Sequence, residues 1–325
     1  MTTHYLYGTI LTSEAVAANN RGDNIGNTTT LQKVFHQDDL HTSVSAEAIR
    51  FALRYRFQLE ASDSVNRSYN SSDGKVSFID EKRKDWNPEG NRVFIDDDLM
   101  GFMDAQAAEK EKEDEVDIEE EADAPKGKKK EKPKGKTTKR QSPLAVGRAV
   151  SLRPYRGELS FNCLSGEKKK GQLSLYSAEM HTTEYQYSFA LNLGDVVKKA
   201  HIYKLIDAII DPPQVAGNHS RFAYDFSPES IILRFTNAHS SKIQNCFEHD
   251  QKNRTYTIEK LIKRVESGDI PVDELIIGGD VYHTEEGEKL KELGVTAIFP
   301  GIIAAANAVR QRIAGIGEEY KIVAS

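Results

Sequence analysis

An α+β core of strand, helix, strands, helix and strand, interrupted by long excursions, is what the sequence predicts, on three observations. The opening His4 to Leu11, HYLYGTIL, alternates and carries β-branched and aromatic residues, as a strand central to its sheet does. Tyr185, Tyr187, Phe189, Leu191 and Leu193 alternate with Gln186, Ser188, Ala190 and Asn192, the strongest strand signal in the chain, with one apolar face for the core. Two further stretches, after Ser45 and over Asp195 to Ile210, space their apolar residues as helices do. This order is that of a ferredoxin-like or RRM-like core with insertions.

The first strand leads into a polar, glycine-broken loop, Arg21-Gly22-Asp23-Asn24-Ile25-Gly26-Asn27, whose residues tolerate left-handed backbone and offer amides to anions; a plain surface loop reads equally well. Ser45 is the expected N-cap of the next helix, and Glu47 sits where the helix dipole favours an acid. Ile49, Ala52 and Leu53 make its buried stripe. Arg50 and Arg54 stand one turn apart on another face, expected to be exposed, where two guanidiniums can clamp successive phosphates. An ordinary amphipathic helix with Glu47 paired to Arg50 is the other reading.

Residues 60 to 90 form a polar excursion with a short strand near Val76 to Ile79. Asp96-Asp97-Asp98 then precedes Leu99-Met100-Gly101-Phe102, better read as a charged turn before a packed segment than as a metal site. Residues 109–123 hold ten acids and two lysines, and residues 126–140 hold nine basic residues and one acid, so the blocks carry −8 and +8 and cancel. Such charge without aromatics builds no core and is expected to be a disordered insertion. Order should return with a strand at Ala145 to Ser151, a bend at Pro154 to Gly157, a strand at Glu158 to Cys163 and a basic hairpin tip at Ser165 to Gly171. Prolines 212 and 213 end the second helix. A small polar loop, Val215 to Arg221, and a strand over Ile231 to Thr236 follow, and from Thr257 onward helix and strand alternate as a peripheral α/β layer.

Composition narrows the function classes. At 325 residues and 38% hydrophobic content, the chain can bury a large core. Two cysteines, Cys163 and Cys246, make neither a zinc ribbon nor a disulfide framework, and no signal-like or membrane-spanning run is present, so a cytoplasmic protein is expected. A net charge of −6 argues against a nonspecific nucleic-acid binder unless the basic residues gather in one groove. No Walker loop, Rossmann fingerprint, zinc helix or nucleophile elbow occurs, and the histidines lack ligand spacing, so neither metal, cofactor nor catalytic residue is assigned.

Several stretches together resemble the backbone subunit of CRISPR Cascade complexes, in its DevR-like branch associated with type I-B systems. They are Asn20-Arg21-Gly22-Asp23; Val44-Ser45-Ala46-Glu47-Ala48-Ile49-Arg50-Phe51-Ala52-Leu53-Arg54; Asp98-Leu99-Met100-Gly101; Val146-Gly147-Arg148-Ala149-Val150; and Gly217-Asn218-His219-Ser220-Arg221-Phe222-Ala223. The chain departs from the family at Ser45-Ala46-Glu47, where Ser-Ser-Gln is usual. The resemblance implies a modified RRM palm with a finger insertion and a thumb β-hairpin. Its segments would be palm 1–57, finger 58–98, charged insertion 99–143, palm strand 144–151, thumb 152–178 and the rest of the palm at 179–325.

It also implies a non-catalytic subunit that polymerises along the spacer of a guide RNA (crRNA) and presents its bases to target DNA. Partners would be the crRNA, target DNA, further copies of the chain, and the large subunit, the 5′-end cap subunit and the repeat-processing endonuclease, with no membrane. The implied RNA-binding residues are Asn20, Arg21, Asn24, Ser43, Ser45, Arg50, Arg54, Arg153, Arg156, Lys168, Lys169, Lys170, Gly217, Asn218, His219, Ser220 and Arg221. Two alternatives stay open: a target-RNA endonuclease using Asp23, as in type III effectors, and a regulator of its own operon.

Overall fold

The computed structural model describes residues 3–18, 21–36, 38–84, 86, 92–105, 137–163, 175–216 and 224–316. The first stretch runs through β1 (Tyr5–Thr12), β2 (Ala15–Ala18), β3 (Arg21–Ile25), β4 (Thr28–Leu31), β5 (Lys33–His36), β6 (Asp39–Val44) and α1 (Ala46–Glu60). Next come β7 (Arg67–Tyr69), β8 (Val76–Phe78) and α2 (Ile95–Met100), followed by β9 (Phe102–Ala105) and β10 (Thr137–Arg140). Then come β11 (Leu144–Val146), β12 (Ala149–Ser151), β13 (Glu158–Cys163), β14 (Leu175–Thr183), β15 (Tyr185–Asn192), α3 (Lys199–Ile210) and β16 (Pro228–Thr236). The last third contains β17 (Glu248–Asp250), β18 (Thr255–Thr257), α4 (Glu259–Glu266), β19 (Leu275–Gly279), α5 (Glu285–Glu292), β20 (Ile298–Phe299) and α6 (Ile302–Gly315).

One sheet of nine strands carries the fold, ordered β20-β19-β16-β1-β15-β12-β6-β5, with β11 also on β15. β1 is its centre, as its alternation predicts, antiparallel to both β15 and β16. Two split β-α-β units interlock here: β1 leads through α1 to β11 and β12, and β15 leads through α3 to β16, each leaving room for a strand of the other. The C-terminal third, expected as a peripheral layer, supplies β19 and β20 to this same sheet.

The two sheet faces bury separate cores. On one, Leu6, Ile10, Tyr185, Tyr187, Phe189 and Leu191 meet the stripes of α1, α3 and α6. On the other, Tyr7, Leu11, Ile232 and Ile277 pack under Ile243, Phe247, Leu261 and Leu290. α1 begins where expected: the Ser45 hydroxyl accepts from the Ala48 amide at 3.2 Å, and Ile49, Ala52, Leu53 and Phe57 are buried. The predicted strand from Ala145 to Ser151 is two short strands, broken at Gly147-Arg148, which turns Arg148 out to solvent.

A second sheet has five strands, β13-β14-β4-β3 with β2 also on β14. Here one expectation is corrected. Residues Arg21 to Ile25 are not a loop but a strand, folded back on β4 through Gly26-Asn27, with Gly26 at φ 63°. Four chain segments cross between the two sheets: at Ser13-Glu14, at Gln32, from Leu152 to Gly157, and at Glu184. β13 and β14, within the segment expected as the thumb, pair antiparallel, in register from Glu158 opposite Met180 to Cys163 opposite Leu175. β9 and β10 pair, so residues 102–105 and 137–140 of the expected disordered insertion are ordered; residues 106–136 lie outside the described residues.

Candidate nucleic-acid interface

The helix face expected to be exposed and basic is neither free nor fully exposed. Arg50 donates to the Met100 carbonyl at 2.8 Å and the Leu144 carbonyl at 2.9 Å, and Arg54 pairs with buried Asp96 at 3.5 Å. Both guanidiniums therefore fasten α1 to α2, and Arg50 also reaches the start of β11. Helical spacing gave their common face correctly, but not that α2 would cover it.

The three aspartates are likewise structural, each buried, with Asp96 and Asp97 sharing Asn66 and Asp98 turned to a separate set of partners. Asp96 accepts from the amides of Asn66 and Arg67, and Asp97 from the Asn66 side chain at 2.7 Å. Asp98 accepts from the Val197 and Lys198 amides, His201 Nδ1 and Arg140, so it caps the approach to α3 and ties it to β10. Burial alone would raise the Asp98 carboxyl; these hydrogen bonds outweigh it and hold the group below its ordinary value. Burial and neighbouring Asp96 push Asp97 up to about 6. Among the described residues no group of three His, Cys, Asp or Glu side chains is placed to hold a metal ion.

The remaining expected contacts separate into three groups. Asn24 and Arg156 are exposed, and Ser45 stands at the N-terminus of α1. Ser43 is buried on β6, its hydroxyl accepting from Arg148 at 3.2 Å, and Arg153 forms ion pairs with Glu184 and Glu14. Of Arg21 only the backbone is described, while Asn20, Lys168, Lys169, Lys170, Gly217, Asn218, His219, Ser220 and Arg221 lie outside the described residues.

Two features were not assigned to the site from sequence. Arg148 is an exposed cation beside Ser43 and Gln32; Glu47 at the start of α1 is lowered first by hydrogen bonds from its own amide and from Ser45, with Arg148 adding a smaller electrostatic part. In the sequence Arg148 stands within Val146-Gly147-Arg148-Ala149-Val150, where Gly147 interrupts the apolar run. Phe161, Ser177, Thr28 and Ile25 lie opposite one another across the five-stranded sheet, with Phe161 and Ile25 both 73% exposed. An exposed aromatic on a sheet has the geometry to stack on a base, which the buried Tyr7 of the large sheet does not.

His181, on β14, joins the second sheet to β6 of the large one. Its Nδ1 and Tyr185 Oη each lie 2.8 Å from Thr42 Oγ1, and its ring meets Tyr155 edge-on. Burial pulls its pKa down to about 4, with His41 adding repulsion, so the imidazole is neutral. His41 is also lowered, by burial first, and bonds the Ser151 carbonyl at 2.7 Å.

Comparison with known proteins gives the same direction throughout. The family described as "CRISPR-associated negative auto-regulator DevR/Csa2" matches residues 9–267. A protein of Myxococcus xanthus (strain DK1622), "CRISPR-associated protein Cas7/Cst2/DevR", is 35% identical over 316 residues, covering 95% of this chain and 97% of its own. Among solved structures, a chain of a "CRISPR RNA-guided surveillance complex" superposes with a TM-score of 0.55 at 14% identity, covering 96% of this chain and 99% of that one. A chain of a "CRISPR RNA-guided surveillance complex, pre-nicking" does so at 0.54 and 12%, with the same coverage of each chain. Those two likenesses concern the fold, mixed α/β in both cases; the family match and the identity over nearly the whole length decide descent, and the chain belongs to the CRISPR-associated DevR/Csa2 family.

Proposed function

We propose that this protein is the guide-RNA-binding backbone subunit of a cytoplasmic CRISPR surveillance complex, repeated along the crRNA and without catalytic activity of its own. Family membership over most of the chain is the observation that carries this reading. The order β16-β1-β15-β12, with α1 and α3 on one face, is that of an RRM-like palm, β7 and β8 belong to the finger, and β13 and β14 are the thumb. An ordinary RRM lays bases on its open sheet face, but here that face is covered by the core around Ile243, Phe247 and Leu261. RNA then has to run along the end of the palm where the second sheet joins, past Arg148, Ser45, Asn24 and Arg156, with Arg21, the Lys168 to Lys170 tip and the Gly217 to Arg221 loop as further contacts.

Binding of that kind grips phosphates and sugars and leaves base edges free, which suits a subunit that must accept any spacer and pair it with target DNA. Phe161 on the thumb would wedge between bases where the guide is kinked. Copies stacking head to tail form a non-closing contact, so an acidic exterior can meet a basic groove on the next copy despite the net charge of −6. The large subunit, the 5′-end cap subunit and the repeat-processing endonuclease complete the assembly. Sequencing the nucleic acid that copurifies with the protein tests this: short RNAs sharing one repeat-derived end are expected, and fragments of random cellular RNA would refute it.

A further inference from the structure

Three of the four crossings between the two sheets converge on one side chain. Arg153, in the crossing from β12 to β13, sends Nε to Glu184 Oε2 at 3.1 Å and Nη2 to Glu184 Oε1 at 2.9 Å, a two-pronged pair. Glu184 is the single residue at which β14 becomes β15. The same Nη2 also pairs with Glu14, in the crossing from β1 to β2. Main-chain bonds hold the same place: the Leu152 amide donates to the Glu184 carbonyl at 2.8 Å, and the Arg153 amide to Thr183 Oγ1 at 3.2 Å.

Beneath this pin lies a buried run of hydroxyls on the same crossings. The hydroxyl oxygens of Tyr224 and Thr12 are 2.8 Å apart, Tyr224 donates to the Thr183 carbonyl at 2.8 Å, and Thr12 accepts from the Tyr185 amide at 2.9 Å. A strand that bends between sheets loses ladder bonds at its bend, so side chains take a larger share in setting its angle. Here those side chains are Arg153 and its two acids above, and the hydroxyls below.

We propose that Arg153 is a positioning residue, the pin that fixes the thumb sheet against the palm, and not a phosphate ligand; this rests on the RNA-binding reading given above. With its guanidinium held by two carboxylates, Arg153 offers little positive field to RNA, and its contribution to binding passes through Glu184.

The two roles predict opposite signs for Glu184→Gln. If Arg153 touches phosphate, removing the neighbouring acid leaves a freer cation and RNA binds more tightly. If it is a pin, the same change loosens the thumb and RNA binds more weakly. The experiment is fluorescence anisotropy of the full-length protein with a labelled single-stranded RNA of 30 to 40 nucleotides, on the wild type, Glu184→Gln, Arg153→Gln, the double variant and the exchange Arg153→Glu with Glu184→Arg.

The expected result is about a tenfold loss of affinity for each single variant, no further loss in the double variant, and partial recovery in the exchange. Wild-type or tighter binding by Glu184→Gln, with only Arg153→Gln weakened, overturns the proposal while leaving the RNA-binding reading intact. Failure of the wild type to bind RNA overturns both. Should Glu184→Gln not fold, the exchange variant decides alone: recovery supports the pin, and loss as deep as that of Arg153→Gln overturns it.

Discussion

Asp97 and Asp98 are adjacent, equally out of reach of water, and opposite in consequence. Asp98 accepts from two amides, an imidazole and a guanidinium, so Asp98→Ala removes one shared acceptor from all four and should cost about 3 kcal/mol or more in urea unfolding at pH 7. Asp97, whose carboxyl holds a proton below about pH 6, should tolerate Asn at pH 5 with a change under about 1 kcal/mol.

The same shifts set a pH test. Between pH 6.5 and about 4 the unfolded chain protonates His181 and the folded chain does not, so through this group stability falls with falling pH, by up to about 3 kcal/mol. Asp97 acts the other way: the folded state takes up its proton near pH 6 and the unfolded state only near 3.8, so acidification returns a similar amount. The two nearly cancel in the wild type. Relative to it, on going from pH 7 to pH 4, His181→Gln should gain stability and Asp97→Asn should lose it. Parallel curves for all three proteins would remove both assignments.

At the scale of elements, strands and helices with local periodicity were legible and those held by distant partners were not. β1, α1, β15 and α3 each carry their own apolar spacing, and each forms close to where that spacing puts it. Arg21 to Ile25 has none and is polar, so it reads as a loop; it becomes β3 because β4 pairs with it and β4 in turn lies against β14, some 150 residues away. The site was less legible than the fold for a related reason. Whether a basic helix face binds RNA or its own protein depends on what packs over it, and α2 covers Arg50. Arg50→Glu would set a carboxylate against the Met100 and Leu144 carbonyls, so loss of about 3 kcal/mol or failure to fold is expected in a melting experiment. Arg148→Glu, on exposed surface, should melt within a few degrees of the wild type while binding RNA about tenfold more weakly.

For the whole molecule, the central feature is a nine-stranded sheet whose face opposite α1 and α3 is covered by residues of its own C-terminal third, and on the proposed reading the junction with the second sheet is the place left for a nucleic acid. That junction has hydroxyls and cations for a phosphate-sugar backbone, so on the proposed reading its binding should ignore sequence. The most direct measurement compares, at one salt concentration, the affinity of the protein for two single-stranded RNAs of unrelated sequence and for duplex DNA from its own promoter. Equal affinity for the two RNAs within about threefold, and at least tenfold weaker binding of the duplex, is the predicted result. Strong preference for one RNA sequence, or tighter binding of the promoter duplex, would contradict the account.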